Sequence, residues 1–80
     1  ITVGCGWLHV QVEARVTVLT VGGEVDKSNS DRLYAHGCRM FTFGGPLIVD
    51  MAPLSFLGVS GYRILLDIAH RCDRQHRPWV

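Results

Sequence analysis

Between Leu8 and Ala14 the chain alternates: Leu8, Val10, Val12 and Ala14 are apolar, and His9, Gln11 and Glu13 are polar. A period of two predicts a strand with one wet face. Val16–Val21 is β-branched almost throughout and predicts a second, more fully buried strand. Only Arg15 separates the two alternations, so they should form a hairpin turning near Glu13–Arg15, without the Asn-Gly or Asp-Gly of a favoured tight turn. Gly22 and Gly23 should then break the strand. Ser28, Asn29 and Ser30 are all competent helix N-caps, and Asp31 would complement the helix dipole. Leu33, Tyr34, Gly37, Cys38 and Phe41 recur at helical spacing, with Arg32, His36 and Arg39 on the other side. The pattern predicts an amphipathic helix of about three turns, ending before Gly44-Gly45.

Pro46–Met51 is a continuous apolar run broken only by Asp50, and it predicts a central strand covered on both faces. Beyond Gly61 a second helix is expected, its inner stripe made of Tyr62, Leu65, Leu66, Ala69 and Cys72 and widened by Ile64 and Ile68. Arg63, Asp67, His70, Arg71 and Arg74 fall opposite. Arg63–Asp67 and Asp67–Arg71 are i,i+4 pairs worth ~0.3 kcal/mol each. The closing His76–Val80 reads as a loop entering another strand.

The resulting order is β-β-α-β-α-β, an α/β fold with a mixed β-sheet and helices packed against it. Loops at the C-terminal ends of strands carry function in such folds. Two qualify, "GEVDKSNS" (23–30) and "APLSFLGVSG" (52–61).

Composition narrows the function more than the fold. Eighty residues, 48% of them apolar, make one small domain with an ample core. Both ends look cut, and a fragment or trimmed domain spanning 1–80 is expected. The net charge of +1 argues against a nucleic-acid partner. No apolar run reaches the ~20 residues of a membrane-spanning helix, and no signal peptide precedes the first strand, so a cytoplasmic setting is expected. Three cysteines, Cys5, Cys38 and Cys72, are too scattered for a disulfide scaffold and read as free buried thiols. Cys38 and Cys72 both fall on inward helix faces, which makes them the candidate redox pair.

The chemistry of catalysis is poorly served. No histidine is placed beside Ser60 by this topology, and Gly58-Val59-Ser60-Gly61-Tyr62 does not fit the G-x-S-x-G elbow. His36/Cys38 and His70/Cys72 repeat a His-x-Cys spacing, but residues two apart on a helix diverge, so no metal site is expected. "VGGEVDKS" misses the phosphate-loop pattern. Neither a cofactor nor an enzymatic activity is expected.

The two loops together resemble the STAS domain of bacterial anti-sigma factor antagonists. "TVLTVGGEVD" is similar to that family's V-x-x-x-G-E-[IL]-D strand and loop. "LIVDMAPLSFLGVSGYRILL" resembles its strand-loop-helix, V-x-D-[LM]-x-x-[LV]-x-F-[LIM]-D-S-[ST]-G-[LV]-x-x-L. The resemblance implies a domain that continues past Val80 with further strands and helices, so that this chain is expected to be C-terminally truncated. The resemblance also implies a protein that binds an anti-sigma factor, often a serine kinase, and so regulates sigma-factor-dependent transcription. It implies a phospho-acceptor hydroxyl directly after the Asp of D-S-[ST]-G, where a charge of ~−2 would break the complex. Asp26 matches the acidic residue of the first loop, with Lys27 and Ser28 beside it. Gly58 stands where the second Asp would be, Val59 at the acceptor position, Ser60 at its neighbour and Gly61 at the glycine. These seven residues form the candidate docking loop, and valine cannot accept phosphate.

Ser60 has two readings, an N-cap worth ~1 kcal/mol or a displaced phospho-acceptor; the cap needs only local geometry and is preferred. The expectation is therefore an anti-sigma factor antagonist not switched at the usual position. The alternative is a STAS interaction module of a larger protein, such as an anion transporter or a sensor complex. An exposed sheet edge would also allow self-association.

Overall fold

The computed structural model describes all 80 residues. Its strands are β1 (Thr2–Val3), β2 (Gly6–Glu13), β3 (Val16–Val25), β4 (Leu47–Asp50) and β5 (Leu54–Leu57); its helices are α1 (Ser30–Gly37) and α2 (Val59–Arg74). A short 3-10 segment, Cys38–Thr42, continues α1. The sheet is mixed, as expected: β1, β2 and β3 are antiparallel neighbours, and β4 and β5 run parallel to β3. β4 pairs with Thr17–Thr20 and β5 with Gly23–Val25, so the two short strands follow one another along the edge of β3 that β2 leaves free. Trp79 and Val80 begin a further parallel lane on β4, with Val49 N–H donating to Val80 O at 2.8 Å.

The hairpin turns where the alternation predicted. Ala14 and Arg15 both take positive φ, 47° and 70°, the backbone of a tight turn that glycine or asparagine would adopt with less strain.

The helices cover one face of the sheet only. Leu8, Leu19 and Leu47 point into that face and pack with Leu33, Met40, Ile68 and Cys72 from the helical layer. Each such buried side chain stabilises the fold by roughly 1.5–3 kcal/mol. The expectation that β4 is covered on both faces therefore fails: Leu47 is buried, but Ile48 faces solvent because no layer lies on its side.

Three further departures have local causes. First, Gly22-Gly23 does not end the strand, because β3 runs on to Val25. Trp7, paired with Gly22 across the hairpin, occupies the space of the missing side chain. Gly23 takes φ +74° where the register shifts, and its N–H donates to Pro53 O at 3.2 Å. Second, β1 and β5 were not foreseen; at two and four residues both are too short to show a period. Third, α1 stops at Gly37 and its last turn tightens to 3-10, shorter than the helix the spacing suggested.

Candidate functional site

The loop after β3 is shaped by two side chains. Asp26 accepts hydrogen bonds from both the hydroxyl and the N–H of Ser28, which hold its carboxyl below the usual carboxylate range. Asn29 sits at the N-cap position of α1, yet its side chain makes no cap bond. It turns inward instead: Oδ1 accepts from the Asp26 N–H (3.0 Å), while Nδ2 donates to Val3 O (3.0 Å) and Glu24 O (2.9 Å). One buried amide thus ties β1, the end of β3 and the loop together. Asn29→Ala would strand these groups and is expected to destabilise the fold by ~2–4 kcal/mol, read as a lowered urea midpoint.

The second loop comes to the same end of the sheet. Gly58 donates its N–H to Val25 O at 2.8 Å. A Cβ on Gly58 would lie 3.5 Å from the Phe56 ring and 3.6 Å from the Asp26 Cα, ordinary contact distances. An aspartate would therefore fit there, and its absence is not forced by packing. Gly61 is different, since a Cβ there would overlap Leu57 and lie 2.9 Å from Val25 Cγ1. Only glycine lets α2 start this close to β3 and β5.

That approach also moves the helix start. α2 begins at Val59, Gly58 is its N-cap residue, and the Tyr62 N–H donates to Gly58 O at 3.0 Å. Ser60 is half-buried inside the first turn and caps nothing, contrary to the preferred reading. The helix's inner stripe is rotated as well. Gly61, Ile68 and Cys72 are its buried residues, while Tyr62 and Leu66 face out. Val59 is 71% exposed, Tyr62 57% and Leu66 41%, and at i, i+3 and i+7 they share one side of the helix. Phe56, 52% exposed, lies against Gly58 at the head of this stripe. Asp26 to Ser28, Gly58, Val59 and Ser60 are thus brought to one end of the sheet, continuous with an exposed apolar face. The sequence reading missed that face because it placed Tyr62 and Leu66 in the core. The signal was present, since α2 carries apolar residues at helical spacing on two sides.

The cysteines are all free. Only Cys72 is buried, and burial pushes its thiol up; Cys5 is exposed. Cys38 is half-buried, with Sγ accepting from Arg71 Nη1 at 3.8 Å. Arg71 also lies over the Phe41 ring at 3.9 Å, so it packs against the 3-10 segment and does not lie on the solvated face the spacing gave it.

Residues 8–80 match the STAS domain family. The chain belongs to that family. Among its relatives is a putative anti-anti-sigma factor, Rv2638, of Mycobacterium tuberculosis, 36% identical over 58 residues. That alignment covers 69% of this chain and 39% of the relative. Osmosensory protein A of the same organism is 29% identical over 65 residues, covering 80% of this chain and 40% of its own length. The STAS chain thus spans about two-fifths of the length of these relatives. A solved anti-sigma factor antagonist from Mycobacterium paratuberculosis superposes with a TM-score of 0.73 at 27% identity, over 82% of this chain and 57% of that one. The mixed sheet with its two helices is therefore the STAS fold. No helix in it is long and apolar enough to cross a membrane.

Proposed function

We propose that this STAS domain is an anti-sigma factor antagonist, a binding protein without catalysis, acting on transcription in the cytoplasm through an anti-sigma factor. The observation that carries the reading is the exposed stripe Phe56, Val59, Tyr62 and Leu66 beside the Asp26 loop. Four large apolar side chains left in water at one site mark a protein-binding surface. The names of its relatives and of its structural neighbour support the choice of partner.

The docking loop carries valine at the acceptor position, so the complex is not switched there by phosphorylation. Ser60, half-buried in the first turn of α2, is poorly placed to replace it. Incubation with the cognate kinase and ATP should leave the native chain unmodified, whereas Gly58→Asp with Val59→Ser should take up one phosphate on the new serine. Mass spectrometry reads both, and phosphate on native Ser60 would overturn the reading.

A second reading is favoured by the relative named an osmosensory protein: under this reading the domain serves as the interaction module of a sensor or transporter. Capture of an anti-sigma factor from native extract, in preference to a transporter or sensor partner, decides between the two.

A further inference from the structure

At the far end of the sheet from the docking loops, Arg77 is 7% exposed, and its charge has no carboxylate beside it. Nε donates to Gly45 O (2.6 Å), Nη1 to Met40 O (3.0 Å) and Nη2 to the Thr17 hydroxyl (3.0 Å), all neutral oxygens. A guanidinium has five N–H donors, so two are left over. Buried cations are ordinarily paired with a counter-charge, because neutral acceptors do not replace the hydration they lose.

The end of α2 does not supply that charge. Its last carbonyls are taken by the chain itself: Gln75 N–H donates to Arg71 O, His76 N–H to Asp73 O and Arg77 N–H to Cys72 O. Beside Arg77 lies an open polar pocket of about 370 Å³, walled by Phe43, Gly44, Gly45, Gln75 and His76, with no acidic residue in its lining. The segments that meet at this end carry Arg15, Arg39, Arg71, Arg74 and Arg77 against only Glu13 and Asp73. The field there is positive, and a concave site concentrates it.

We infer that this pocket binds a small oxyanion of the phosphate type, with Arg77 as its fixed cation and the Gly44–Gly45 and Gln75–His76 segments as its walls. With Nε bonded to Gly45 O, one N–H remains on each of Nη1 and Nη2, and these supply charge-assisted donors of the kind a phosphate-type oxygen accepts. The site is separate from the docking face and does not depend on the proposed partner.

The test is a titration of the ¹⁵N-labelled chain with sodium phosphate at constant ionic strength, against sodium chloride as control. The Arg77 Nε–H resonance and the Gly44 and Gly45 amides should shift together and saturate. Gln75→Glu, which sets a negative charge at an exposed position in the wall, should weaken the response at least ~10-fold while leaving the amide spectrum folded. Vesicles of phosphatidylcholine with and without phosphatidic acid distinguish a lipid headgroup from a free ion; sedimentation with the acidic vesicles that Gln75→Glu abolishes assigns the same site to a headgroup. Linear, non-saturating shifts with phosphate together with no such sedimentation would overturn the inference, as would responses that Gln75→Glu leaves unchanged.

Discussion

Val59→Glu is expected to weaken binding to the anti-sigma factor at least ~100-fold, about 2.7 kcal/mol, without loss of thermal stability. Val59 is exposed and is the first residue of α2, where an acidic side chain is favoured by the helix dipole by about 0.3–1 kcal/mol. Folding therefore gains slightly or stays level. Binding is another matter, because a carboxylate at the centre of an apolar contact would have to be dehydrated without a partner. Tyr62→Ala, one turn along, should cost ~2 kcal/mol as the loss of an aromatic anchor. Isothermal titration with the purified anti-sigma factor, alongside a thermal melt of each variant, measures both quantities. Native affinity in Val59→Glu would move the interface away from this face.

Gly23→Ala should destabilise the fold by ~2–4 kcal/mol, a large share of the roughly 4–12 kcal/mol that a chain of this size commands. Two effects combine. The residue holds φ at +74°, which a Cβ makes strained, and that Cβ would overlap the Cys5 carbonyl oxygen, a backbone atom that cannot step aside. The Cys5 carbonyl also accepts from the Glu24 N–H at 2.9 Å, so relieving the overlap would cost that backbone hydrogen bond. Gly44→Ala is the control: nothing lies within 4 Å of a Cβ there, and the change should stay within ~0.5 kcal/mol. Urea denaturation of the two variants separates them, and equal midpoints would refute the account of Gly23.

Gly22 and Gly23 show where sequence reading reached its limit. Gly22-Gly23 looked like a strand ending, since paired glycines weaken strands. What keeps the strand going is Trp7 on one residue and the Cys5 turn on the other, contacts across the hairpin that no local pattern contains. Asn29 was legible as a cap by type, but three backbone groups brought together by β1, β3 and the loop draw its side chain inward. Arg77 read as part of a terminal loop; only the return of the chain beneath β3 and β4 buries it.

Period and type alone determined where the hairpin strands and the amphipathic helices lie and which two loops mark the family, because each is read from neighbours three or four residues away at most; the mixed sheet followed from the order of those elements. They also determined that Val59 holds no hydroxyl. Tertiary structure decided which side of α2 is the inside. Gly61 must press against Leu57 and Val25, and that single close approach rotates Tyr62 and Leu66 out of the core and leaves them, with Val59 and Phe56, facing water.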